Sequence, residues 1–169
     1  GILSALAQPH AAATIVTACT GSAKTRAFYL PALIDIAATV SEKRIGPHTL
    51  ALYPRNELLR DQAREAVRVM QSIGPLAGTG TRPGRIALLY GNTPYDKDLA
   101  GARDVKHWRR VSNGWETPYF PCLDDDCMSA LVWTDEDRNH KVERLTCSKC
   151  AAVTEAGVVA MTRESITAN

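Results

Sequence analysis

The segment Thr14-Ile-Val-Thr-Ala-Cys-Thr-Gly-Ser-Ala-Lys-Thr25 constrains the fold more than any other, because a β-branched run passes through a turn of small residues into Lys24-Thr25 and a helical pattern. A buried strand with a helix leaving its carboxyl end belongs to an α/β arrangement. The turn between them has the chemistry to hold phosphate. Successive backbone N–H groups and the helix start would face the anion, while Lys24 adds a charge and the Thr25 hydroxyl a magnesium ligand. The strict pattern sets Gly before Lys-Ser/Thr. Here Ala18 opens the loop as expected, but Ala23 stands where that glycine belongs. Thr20, Gly21, Ser22, Ala23, Lys24 and Thr25 are the candidate phosphate contacts.

Strand and helix patterns alternate after this loop. Lys24 to Val40 reads as a helix through Phe28, Leu33, Ile34 and Ala37, with a kink expected at Pro31. Thr49 to Tyr53, bounded by Gly46-Pro47 and Pro54, reads as a buried parallel strand. Glu57 to Ile73 is an amphipathic helix whose core face carries Leu59, Ala63, Ala66, Val67, Met70 and Ile73, with Arg60, Arg64 and Arg68 spaced four apart on another face. Arg85 to Tyr90 and Gly157 to Met161 read as further strands. The alternation implies βαβ units, a parallel sheet with flanking helices, and ligands at the carboxyl ends of the strands. Residues 95–115 carry no assignment. Lys106 to Arg110 mixes basic and aromatic residues, either as a single-strand binder does or as a solvated face with one anchoring Trp.

Cys122-x4-Cys127 and Cys147-x2-Cys150, nineteen residues apart, have the spacing of a tetrahedral four-cysteine zinc site. Ala130 to Thr134 and Val142 to Thr146 read as two strands joined by the polar turn Asp135 to Asn139, so one hairpin brings both pairs together as a zinc ribbon. Two disulfides or four separate thiols are the alternatives. A reducing compartment favours zinc. His140 reads as solvated and Asp124, Asp125 and Asp126 as a solvated acidic loop, since consecutive carboxylates cannot all face one ion. Cys19 reads as a small loop residue.

In order, Thr17-Ala-Cys-Thr-Gly-Ser-Ala-Lys-Thr25, Leu52-Tyr-Pro-Arg-Asn-Glu-Leu-Leu-Arg-Asp-Gln62, Tyr90-Gly-Asn-Thr93 and Ala160-Met-Thr-Arg-Glu-Ser-Ile166 resemble successive motifs of superfamily 2 DEAD/DEAH-type helicases. The helix after the loop shares the family's Phe-x-Leu-Pro element at Phe28 to Pro31. The resemblance implies a partial first RecA-like domain: residues 1–115, a zinc-ribbon insertion over 116–152, and a return strand over 153–169, with the acidic Asp-Glu box expected after Asn169. It implies ATP and Mg2+ on Thr20 to Thr25, and Zn2+ on Cys122, Cys127, Cys147 and Cys150. Nucleic acid, DNA in preference to RNA, would lie on Pro54, Arg55, Asn56, Gly91, Asn92, Thr162 and Arg163, with the remaining domains of the parent chain as partners. A ribbon placed before the acidic box further points, by analogy, to a large bacterial helicase of a phage-defence system.

Composition narrows the alternatives. A chain of 169 residues, 45% hydrophobic and 22% charged, has the size and core content of one globular domain. The first Lys or Arg is Lys24, so no charged leader region precedes the apolar N-terminal run, and a soluble cytoplasmic protein without membrane partners is expected. Residues 1–120 hold 15 Lys/Arg against 9 Asp/Glu, and residues 121–169 hold 5 against 9. The body is therefore basic, as a phosphate binder needs. The ribbon is acidic, which keeps open a non-catalytic scaffold that binds protein partners through it. A P-loop kinase is disfavoured by the second motif.

Overall fold

The computed structural model describes residues 15, 24–41, 47–73, 84–91, 93–98 and 107–167. Two helices come first: α1, Lys24–Ser41, and α2, Asn56–Ile73, each within a residue of its expected start. Glu57 in the first turn of α2 suits the positive end of a helix. The apolar stripe of α2 faces inward as its spacing requires, with Ala63, Ala66, Val67 and Met70 buried and Leu59 half-buried. On α1, Leu33 is buried, but Ile34 faces solvent. The Tyr29 hydroxyl ties α1 to Tyr53 at 2.6 Å and to the Gln62 carbonyl on α2 at 3.3 Å.

Strand β1, Ile86–Ala87, pairs in parallel with β6, Val159–Ala160, in the register Ile86 to Val159 and Ala87 to Ala160. This is the α/β core expected: a parallel pair flanked by helices, with a long connection between the two strands. Both strands are shorter than the apolar runs that contain them. Thr49 to Tyr53 departs from expectation, since it is not a strand and Leu50 and Leu52 are each 81% exposed. An extended segment becomes a strand only through hydrogen bonds to a neighbour, and none of the described residues pairs with this one.

A four-stranded antiparallel sheet lies between β1 and β6 in sequence: β2, Arg109–Val111; β3, Gly114–Pro121; β4, Ala130–Thr134; and β5, Thr146–Cys147, in that spatial order. It begins ahead of residue 116. Val111 faces Gly114 across the Ser112-Asn113 turn, and a Cβ added at Gly114 would collide with the Trp133 carbonyl oxygen, so only glycine fits there. The turn after β4 is a short helix, α3, Asp135–Asn139, whose N-cap Thr134 accepts from the Asp137 N–H. The second hairpin strand starts later than Val142, at Thr146. A last short helix, α4, Arg163–Thr167, follows β6.

One core runs through both parts. Val67 and Met70 of α2 join Leu88, Trp108, Phe120, Leu131, Trp133, Leu145 and Val159 in a single buried cluster. Trp108 donates to the Tyr90 hydroxyl at 3.0 Å, and Tyr90 meets Tyr119 edge-on with centroids 4.5 Å apart. Among the described residues no helix is long and apolar enough to cross a membrane.

Candidate functional site

The four cysteines come together through two similar turns. Cys122 follows β3, where its N–H donates to the Ser129 carbonyl at 2.6 Å, and the chain turns back at Cys127. Cys147 ends β5, where its N–H donates to the Ala152 carbonyl at 2.8 Å while the Ala151 N–H returns to the Cys147 carbonyl. The residue after each second cysteine takes the left-handed conformation, with φ of 50° at Met128 and 58° at Ala151. Asp124 N–H and Lys149 N–H each point at the sulfur two residues back, both at 3.4 Å. Amide donors aimed at sulfur favour thiolates.

The geometry suits a metal. All four Sγ atoms lie within 4.8 Å of one another, with Cys122 and Cys150 3.4 Å apart and Cys127 and Cys147 3.5 Å apart. A tetrahedron with Zn–S bonds of about 2.3 Å has edges of about 3.8 Å, whereas a disulfide needs about 2.05 Å. All four are free thiols. Burial pushes the Cys122 thiol up to about 12, while the backbone N–H of Ser129, helped by its hydroxyl, brings Cys127 down to about 6. Four sulfurs this close cannot all ionise without a cation among them, and four thiolates are what zinc takes. His140 stands apart, exposed, with Nδ1 2.9 Å from the Glu136 carbonyl.

The ribbon is fastened to α2 by residues that the sequence marked only as a stripe. Arg64 Nε donates to the Cys122 carbonyl at 2.9 Å and Arg68 Nε to the Leu123 carbonyl at 2.7 Å. Both guanidinium groups also reach Asp125, at 2.8 and 2.9 Å, and Arg68, more than the rest of its surroundings, holds that carboxyl below its usual range. Asp125 is thus an ion-pair partner rather than a free member of an acidic loop. At the far side, the Glu143 carboxylate accepts from the Arg85 guanidinium, from the Met161 N–H at 2.8 Å and from the Ser165 hydroxyl at 2.6 Å. The i, i+4 spacing of the arginines was visible in sequence. Their partners, some sixty residues away, left no signal.

The strand ends expected to face nucleic acid are partly brought together. Arg163 donates through Nε to the Thr93 carbonyl at 3.1 Å and through a terminal nitrogen to the Gly91 carbonyl at 3.5 Å, so the turn after β1 and the end of β6 form one unit. Thr162 is buried, and its hydroxyl oxygen accepts from the Ser165 N–H at 3.1 Å at the start of α4. Pro54, Arg55 and Asn56 are exposed at the head of α2, where the Asn56 amide donates to the Tyr119 hydroxyl at 2.9 Å. Gly91 is exposed, with no atom within 4 Å of the position of an added Cβ, so packing does not demand glycine there.

Against models of protein families, residues 3–106 match the DEAD/DEAH box helicase. The chain belongs to the DEAD/DEAH box helicase family. No curated protein and no solved structure matches it. The helicase match stops just short of β2, so the antiparallel sheet that carries the cysteines begins where the family's pattern ends. A helicase-type nucleotide-binding domain therefore makes up most of the chain. Of the residues expected from the sequence to contact phosphate, Thr20, Gly21, Ser22 and Ala23 lie outside the described residues, as does the expected strand-end contact Asn92. Lys24 and Thr25 open α1, and their side chains lie outside the description too.

Proposed function

We propose that this chain is the nucleotide-binding part of an ATP-dependent nucleic-acid helicase or translocase of superfamily 2, with a zinc ribbon set between two strands of its parallel sheet. The observation that carries this reading is the family match over residues 3–106, which spans the Lys24-Thr25 loop, the Pro54-Arg55-Asn56 segment and the Gly91 turn. In it, the backbone of Thr20 to Ala23 and the Lys24 ammonium hold the ATP phosphates, and Thr25 ligates the accompanying magnesium. Arg55, Asn56, Gly91, Asn92 and Arg163, with Pro54 and Thr162 shaping their segments, face the sugar-phosphate backbone of DNA or RNA. An exposed glycine that packing does not demand, beside an arginine, leaves room for a phosphate to approach the chain.

Cys122, Cys127, Cys147 and Cys150 would hold zinc, which supplies cross-linking rather than catalysis because four protein ligands leave no open position. On this reading the ribbon module spans the antiparallel sheet, from β2 onward, and is fixed to the helicase body through Arg64, Arg68 and Glu143. A scaffold reading draws on Ala23 and on the excess of acidic residues after position 120, and assigns the ribbon to protein partners.

Titration of a fluorescent ATP analogue in magnesium separates the two. The helicase reading expects saturable binding that Lys24→Ala weakens at least tenfold. Binding that is absent, or indifferent to Lys24, would leave the scaffold.

A further inference from the structure

The three arginines spaced along α2 do not share one task. Arg64 and Arg68 are engaged by Cys122, Leu123 and Asp125, whereas Arg60, one turn nearer the helix start, lines a groove of about 270 Å3 between α2 and the antiparallel sheet. Its other walls include His107, Arg109, Glu116, Pro118 and Phe120. Among the described residues Arg60 forms no ion pair or hydrogen bond. Arg109 pairs with Glu116 through Nε and one terminal nitrogen, at 2.7 and 2.6 Å, which leaves the two N–H groups of its other terminal nitrogen for a second acceptor. The neighbouring Trp108 is buried and bonded to Tyr90, so its ring does not face the groove as a surface for a base to stack on.

From this we infer that the groove is a second contact for nucleic acid, holding the sugar-phosphate backbone of a single strand that continues from Arg55 and Asn56 across the seam into the ribbon sheet. Continuity and charge both point that way. Asn56 and Arg60 lie one turn apart on the same face of α2, about 6 Å along its axis. Asn56 is hydrogen-bonded to Tyr119, whose neighbour Pro118 lines the groove. The space suits one nucleotide-sized group rather than a duplex, and Arg60 with Arg109 outweighs Glu116 in charge. The inference rests on the strand-end reading proposed above, and it adds the antiparallel sheet of the ribbon to the binding track.

Fluorescence anisotropy of a labelled twenty-nucleotide oligothymidylate, titrated with the zinc-loaded full chain at several salt concentrations, tests it. Arg60→Glu is expected to weaken binding about tenfold at low salt and to lower the slope of log affinity against log salt by roughly 0.7 for the lost phosphate. Arg60→Lys should keep most of the affinity, and the melting temperature of both variants should stay near that of the parent. If Arg55→Ala weakens binding while Arg60→Glu does not, the groove is excluded and the strand-end reading stands. If Arg60→Glu weakens it and Arg55→Ala does not, the groove stands and the strand-end contacts fall. Binding that neither variant changes, or no binding by the parent chain, overturns both.

Discussion

Arg64 and Cys122 are joined across the two parts of the molecule: the guanidinium of a helicase-body helix donates to the carbonyl of the first zinc-ligand candidate at 2.9 Å. The cysteine turn is therefore a packed component of the domain, and disturbances on either side should be felt on the other.

Removing the arginines separates two contributions. Asp125 is 73% exposed, so its ion pairs are screened by solvent and Asp125→Ala should cost little. Arg68→Ala also strips a donor from the Leu123 carbonyl, and should cost about 1 to 3 kcal/mol. Urea denaturation of the two variants checks the order. Equal costs would mean that the carbonyl contact contributes nothing.

Glu143 sits 10% exposed between Arg85, Met161 and Ser165. Glu143→Ala leaves the Met161 N–H without its acceptor and the Arg85 guanidinium with only the Ser165 carbonyl at 3.5 Å, and should destabilise the domain by about 1 to 3 kcal/mol. Glu143→Gln keeps an acceptor and should cost clearly less. Denaturation midpoints in guanidinium chloride give both values, and an alanine variant as stable as the parent would show that the ribbon is not anchored there.

These anchors mark what the sequence could not disclose. The cysteine spacing disclosed the ribbon, and the apolar stripe of α2 disclosed which face is buried, because both depend on residues near one another in the chain. Asn113-Gly114 resembles a hairpin turn in sequence, yet in the structure Ser112-Asn113 make the turn and Gly114 opens β3, so the register was not legible from the dipeptide. Thr49 to Tyr53 has the composition of a buried strand, yet composition does not supply a pairing partner. Glu143 and Arg64 gave no local sign of their role, since a surface charge and a charge reaching another module look alike in sequence.

Zinc content follows from the four-sulfur geometry. The protein should carry about one zinc per chain by atomic emission, and Cys147→Ser should lose most of it together with the tertiary signal of Trp133, which packs in the same core. A well-folded, metal-free parent chain would exclude the site.

Ala23 should limit nucleotide affinity. If its position needs left-handed backbone or lies against phosphate oxygens, the methyl group costs roughly 1 to 2 kcal/mol, so Ala23→Gly should tighten ATP binding about tenfold by calorimetry. Unchanged affinity would mean that the loop accommodates alanine.

As proposed, these motifs belong to an enzyme that couples ATP to nucleic acid. ATP turnover measured with and without single-stranded DNA or RNA tests this proposal most directly. Turnover should rise several-fold with nucleic acid and be abolished by Lys24→Ala. Turnover that is absent, or unaffected by nucleic acid, would contradict it.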